Sequence, residues 1–188
     1  SPDDPPNTAP AAAASCEAPF PRAAALAADE TSSIDVMVDA LQRVPGYDIV
    51  VLLQPTSPLR SARDIDGTLE LLISSDAPAC VSVRPAEEHP YWTFRLDGAG
   101  RLASFAGPDG GVPLRRQDLP RAWCLNGAVY SARVEWFLSA RSFLSPQTVG
   151  YAMPAERSLD IDTPADIERL RSIVGMSATS PDDARTPR

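Results

Sequence analysis

Alternating strand and helix signals place this chain in the α/β class. The expected architecture is a mostly parallel sheet with helices on both faces and a small antiparallel hairpin inserted into it. Three observations predict it. Residues 47–53 contain the continuous apolar run Ile49 to Leu53, suited to a strand buried on both faces. A capped helical pattern and a second short apolar run, residues 79–83, follow it. A β–loop–α–β succession of this kind connects by a right-handed parallel crossover. The third is a sharply punctuated helix beginning at Thr163.

The elements follow in order. Thr31, Ser32 and Ser33 offer N-caps to a helix that carries Ile34, Met37, Val38 and Leu41 on one face. Pro45-Gly46 stops it. Residues 54–60 (QPTSPLR) form a loop, because two prolines remove backbone donors. Ser61 and Asp64 read as a capping box ahead of Ile65, Leu69 and Leu72. Residues 92–96 and 101–105, joined by Asp97-Gly98-Ala99-Gly100, read as a hairpin, and the Gly-rich stretch 107–111 follows. A strand around Asn126–Tyr130, a short helix over 135–140 and a strand over 149–153 come next. Thr163-Pro164-Ala165-Asp166 caps the last helix, whose apolar face is Ile167, Leu170, Ile173 and Val174, with Gly175 at the stop position.

Both ends differ from the middle. Residues 1–21 are rich in Pro and Ala without periodicity, and 176–188 are polar; both are expected to be disordered. The organised domain is expected over 22–175, with the hairpin insertion at 85–118. The chain has 188 residues and a net charge of −8. Its basic residues are dispersed, which argues against a nucleic-acid surface. Its apolar runs are too short to cross a membrane. All 17 basic residues are arginine, which excludes a Walker-type phosphate loop within this chain. Three scattered cysteines and one histidine argue against a zinc site or a disulfide scaffold, and a reducing cytoplasm is the default location.

Two features point to chemistry. In an extended segment, residues i and i+2 face the same side, so Asp160 and Asp162 present two carboxylates to one place. Mg²⁺ takes one or two carboxylates and leaves its other positions to water and phosphates. The plain alternative is a pre-helix acid beside a solvated one, and the D-x-D pattern alone favours that. Gln54 closes a strand and opens a Pro-braced loop, where a ligand of an open α/β sheet binds. Its amide and the hydroxyls of Thr56 and Ser57 suit a polyhydroxylated ligand; a polar strand exit is the equal alternative. Arg115-Arg116 can grip an anion in bidentate fashion, or simply stay solvated. His89, Cys80 and Cys124 read as structural.

Together, LLQPTSPLR, RRQDLP, NGAVY and SLDIDTPADI, in that order, resemble the acylneuraminate cytidylyltransferases, the CMP-sialic acid synthetases. The upstream RAAALAADETSS is similar to the family's nucleotide-side segment. The resemblance implies a Rossmann-like sheet and a Mg²⁺-dependent nucleotidyltransferase. That enzyme moves CMP from CTP to the anomeric hydroxyl of a nonulosonic (sialic-type) acid and releases pyrophosphate. It implies metal binding and catalysis by Asp160 and Asp162. It implies sugar contacts from Gln54, Arg116, Asn126, Tyr130 and Phe143, and cytidine contacts from Arg22, Ser32 and Ser33. It also implies a homodimer in which the hairpin reaches towards the partner's site. Family members open with a strand and a basic Gly-containing loop that holds the CTP phosphates. Residues 1–21 do not match that unit, so the expectation is an N-terminally truncated chain that binds CTP poorly by itself. The alternative function is a catalytically inactive copy acting as a binding and dimerisation module. A third reading, another nucleotide-sugar enzyme built on the D-x-D pair, is opposed by the LQPTSPLR loop.

Overall fold

A computed structural model describes residues 16–17, 19–23, 26, 31–106, 113 and 115–178. In chain order the elements are α1 (Ser33–Arg43), β1 (Ile49–Leu52), α2 (Ala62–Ser74), β2 (Ala79–Pro85), β3 (Phe94–Leu96), β4 (Leu102–Ser104), β5 (Trp123–Arg133), α3 (Val134–Ala140), β6 (Val149–Ala152) and α4 (Pro164–Ala178). Short 3-10 turns stand at Pro90–Trp92, Arg116–Asp118 and Ala155–Arg157. The chain divides into two compact units, Ser1–Val50 with Arg133–Ser142 and Val51–Ala132 with Phe143–Arg188. The expected disordered ends and the 107–111 stretch lie almost wholly outside the described residues.

The first unit holds α1 and α3. Ser32 is the N-cap of α1: its backbone is extended and its hydroxyl accepts from the Ile34 N–H at 3.2 Å. Asp35 in the first turn and Arg43 in the last complement the helix dipole. Gly46 takes φ +100°, which lets the chain reverse after Pro45. Helix α3 buries Phe137 completely and ends on Arg141 in the left-handed region. The Arg141 guanidinium pairs with Asp35 on α1, and the Val134 N–H donates to Asp48 O at 2.9 Å. These contacts tie α3 to α1 and to the entry of β1.

The main sheet has the strand order β1-β5-β2-β6. It is mixed, and this corrects the expected mostly parallel, Rossmann-like sheet. The β2–β6 pair is parallel, but β5 pairs antiparallel with β2 from Ala79↔Ala132 to Pro85↔Trp123. The reason lies in the connection. A crossover helix returns a strand parallel, whereas the excursion between β2 and β5 carries a hairpin, so β5 comes back antiparallel beside β2. β5 also separates β1 from β2 in the order, so the two strands joined by α2 are not neighbours. β1 stands at the end of that order, and its residues are half-buried rather than covered on both faces.

In the second unit, α2 lies against β2 and β6. Ala128, Val129 and Met153 form a buried cluster with Val51, Ile65 and Tyr151 packed on it. The hairpin forms as expected, β3 pairing with β4 in the register Phe94↔Ser104. The Asp97 carboxylate organises its turn by accepting from the backbone of Ala99 and Arg101, each at 2.9 Å. Helix α4 begins where the Thr163/Asp166 box predicts, with Thr163 N–H and Oγ1 donating to Asp166 Oδ2 at 2.8 and 2.7 Å. It runs through Gly175 to Ala178 instead of stopping there. A glycine inside a helix costs only about 1 kcal/mol relative to alanine, too little to end one by itself.

The Ser61/Asp64 capping box is also present, but Asp64 does more than cap. Its carboxylate is fully buried and accepts from Ser61 N–H (2.8 Å) and Ser61 Oγ (2.7 Å). It accepts as well from Arg157 Nε (2.9 Å) and Nη2 (2.7 Å). The Arg157 hydrogen bonds are the main reason its pKa falls to about 2, burial opposing them. A depressed folded-state pKa contributes stability above the unfolded value and loses it as pH falls through the folded value. Stability is therefore expected to drop by about 2 kcal/mol between pH 4 and pH 2 through this one group. Urea unfolding at pH 5, 3 and 2 measures it, and Arg157→Gln should flatten most of that slope.

Candidate functional site

The site begins with a β-bulge. Val81 faces Tyr130 and Val83 faces Leu125, so two steps on β2 oppose five on β5. Asn126 to Val129 fall outside the register with β2, and their groups facing β2 must find other partners. Ser82, fully buried on β2, accepts from Val129 N–H at 2.8 Å and donates to Asn126 Oδ1 at 2.6 Å. The same Oδ1 accepts from Ala128 N–H at 3.2 Å. Asn126 Nδ2 donates to Ser158 Oγ at 2.9 Å and lies 3.3 Å from Met153 Sδ. The Asn126 carbonyl accepts from Ser57 Oγ at 3.0 Å. One amide thus joins β2, β5, the 54–60 loop and the turn before Asp160.

Gly127 follows Asn126 with φ +72°, a backbone that other residues adopt at a cost. A β-carbon there would lie 2.7 Å from Gln54 Oε1, 2.9 Å from Ser57 Oγ and 3.5 Å from Asp160 Oδ2. Three polar atoms from two distant segments therefore converge on the bare face of one glycine. The 54–60 loop is braced by Arg60, whose Nη1 donates to Gln54 O (2.6 Å) and Ser57 O (2.7 Å). The 160–162 segment is joined to this loop by the Ile161 N–H, which donates to Thr56 O at 2.9 Å.

Asp160, Asp162 and Asn126 line one cleft of about 270 Å³, together with Arg84, Glu87, Ser158, Asp166 and Arg169. Asp160 Oδ1 is buried with no hydrogen-bond partner among the described residues. An acceptor left in that state is costly unless something else satisfies it. An oxygen-bound divalent cation fits this arrangement. No group of three or more His, Cys, Asp or Glu is gathered for a metal among the described residues. Asp160 and Asp162 can thus fill two positions and leave the rest to water and ligand oxygens, as Mg²⁺ favours.

The remaining expected residues fall in three places. The Tyr130 ring packs against Phe143 at 5.5 Å, and burial, then the nearby Asp160 charge, pushes the Tyr130 phenol up. Its O–H remains a donor at neutral pH. Phe143 is buried, 5% exposed, and so lies behind Tyr130 rather than forming an open wall. Arg116 lines a separate pocket with His89, Pro120 and Trp123, donates to Glu87 O and sits 5.8 Å from the centre of the Trp92 ring. Arg22, Ser32 and Ser33 belong to the first unit. There the Ser32 hydroxyl caps α1, and Arg22 Nε is buried without a partner among the described residues.

This geometry stands beside clear sequence likenesses. The chain is homologous to the N-acylneuraminate cytidylyltransferases. It is 36% identical over 141 residues to the enzyme of that name from Streptococcus agalactiae serotype V, covering 75% of this chain and 34% of that protein. It is 31% identical over 160 residues to the CMP-N,N'-diacetyllegionaminic acid synthase of Legionella pneumophila, covering 79% of this chain and 65% of that protein. The chain therefore spans about a third of the length of the streptococcal relative. No family profile matches it. Its fold is similar to a solved CMP:2-keto-3-deoxy-manno-octonic acid synthetase complexed with CTP, with a TM-score of 0.54 and 17% identity over 79% of this chain and 70% of that one.

Sequence reasoning missed Ser82, Ser158, Arg84 and Arg169 at or around the cleft. Ser82 carried a signal: a lone hydroxyl inside the apolar strand CVSV needs a buried partner. The two arginines carried none. Gly127→Ala is expected to destabilise the chain by about 2 kcal/mol or more, through positive φ and the contact with Gln54 and Ser57. Thermal unfolding measures it. Asn126→Ala should cost about 1–3 kcal/mol by leaving the Ser82 and Ser158 hydroxyls and the Ala128 N–H with fewer partners.

Proposed function

We propose that these residues form the sugar-acid side of a CMP-nonulosonate synthetase, and that the 188-residue chain by itself is a binding and dimerisation module. The observation that carries it is the convergence of Gln54, Ser57 and Asp160 on Gly127, with the Asp160 Oδ1 unsatisfied among the described residues. The homology supplies the ligand class. In this reading Gln54 hydrogen-bonds sugar hydroxyls and Tyr130 donates its O–H to the ligand, while Ser57, fully buried and bonded to the Asn126 carbonyl, holds the loop in place. Asn126 holds the bulge, and the bare Gly127 lets Gln54 and Ser57 approach the Asp160 segment. Asp160 and Asp162 hold Mg²⁺, which when bound neutralises phosphate charge and makes the anomeric hydroxyl easier to deprotonate. Arg116 lines the neighbouring pocket and not the Asp160 cleft; in this reading it would meet a carboxylate from that side.

Binding is favoured over turnover by how the charged groups are committed. Arg84 pairs with Glu87 at 3.2 Å, and Asp166 is occupied by Thr163. The Ser32 hydroxyl, assigned to the cytidine by resemblance, is used in capping α1. The exposed Phe94, Leu96, Leu102 and Phe105 of the hairpin support a homodimer contact. Among the described residues no helix is long and apolar enough to cross a membrane; a cytoplasmic location is part of the proposal and rests on its CTP-linked role.

The test is calorimetric titration of the 188-residue chain with N-acetylneuraminate in Mg²⁺, paired with a chromatographic assay for CMP-sugar after adding CTP. Saturable binding, weakened about tenfold or more by Asp160→Asn, without CMP-sugar, is the expected result. Turnover by the purified chain would overturn the module reading and make it an enzyme. Absence of sugar-acid binding would overturn both.

A further inference from the structure

We infer that the Asp64–Arg157 ion pair is a clasp that sets the spacing between the Gln54 loop and the Asp160/Asp162 segment, and that Arg157 is a positioning residue for the site. The covalent path shows why. The Gln54 and Ser57 carbonyls are held by Arg60. Arg60 leads directly into Ser61, whose N–H and hydroxyl are fixed by Asp64. Asp64 is gripped by both Nε and Nη2 of Arg157. Three residues beyond Arg157 stands Asp160. The clasp thus closes a ring between two limbs that are otherwise about a hundred residues apart in the chain.

A capping box asks one hydrogen bond of the Asp64 carboxylate, from the Ser61 N–H, and that bond is present. Two further charge-assisted bonds to Arg157, with Asp64 fully buried and the Arg157 side chain 39% exposed, exceed what helix capping requires. A buried ion pair is weak as a source of net stability, because desolvation offsets much of the attraction. A bidentate guanidinium–carboxylate pair is strong as a source of fixed geometry. Here that geometry is the distance between a loop bearing amide and hydroxyl groups and a segment bearing two carboxylates. The inference rests on the proposed reading only for naming those limbs as ligand-binding.

The limbs have their own reporter: the Ile161 N–H donates to Thr56 O across the gap. Hydrogen exchange by NMR on the ligand-free chain reads it directly. In Arg157→Gln, Ile161 should exchange faster by about tenfold or more beyond the acceleration that the lost stability gives the buried Val129 and Met153 amides. Asp64→Asn should act in the same sense. If Arg157→Gln does not fold, Arg157→Lys keeps the charge but loses the bidentate fork, and it is judged by the same comparison. Unchanged Ile161 exchange, or equal acceleration at all three amides, overturns the clasp, the second outcome because it marks a pair that only stabilises. No sugar acid or metal enters the measurement, so its failure is separate from any failure of the binding titration.

Discussion

A strand that carries five steps against its neighbour's two must dispose of unpaired backbone, and the rest of the site follows from how β5 does so. Ser82 and the Asn126 side chain take over as hydrogen-bond partners. Once the Asn126 amide is fixed by Ser82 at one end, its other end must meet Ser158, and its backbone carbonyl must meet Ser57. The bulge therefore does two jobs with one irregularity. It turns the bare face of Gly127 towards Gln54, Ser57 and Asp160, and it anchors the two segments that carry them. In low dielectric such a network is stable only when every member is satisfied, so it admits few alternative arrangements.

The charged groups show a similar division of labour. Asp64, buried and fully bonded, is committed to architecture, and its pKa of about 2 records that commitment. Asp160, with one oxygen buried and unpartnered among the described residues, is not. Two aspartates in one compact unit are thus distinguished by how many donors reach them.

Local signals were legible in the sequence wherever the physics was local. The Ser32, Ser61 and Thr163 caps sit where the residue types demand, and the Asp97-Gly98-Ala99-Gly100 turn forms the expected hairpin. Strand direction was not legible. Apolar runs at β1 and β2 announce strands, but nothing in them reveals that β5 will come between the two and run antiparallel to β2. The D-x-D pair and Gln54 could be named from spacing. Their meeting at Gly127 could not, because it depends on a bulge whose register is set by pairing between distant residues. Gly175 misled because a helix stop needs a left-handed backbone as well as a glycine.

The hairpin also bears on how the chain finds its fold. β2 must meet β5 and β6 across long stretches of sequence, pairings such as Cys80↔Ser131 and Cys80↔Val149. Such non-local contacts raise contact order and slow folding, since loop entropy is lost before the pairing is gained. β3 and β4 lie within the stretch that β2 and β5 must close, and their turn is organised by a single carboxylate from within. A hairpin formed early shortens that loop before Pro85 meets Trp123. The insertion thereby becomes a kinetic aid to the sheet it interrupts.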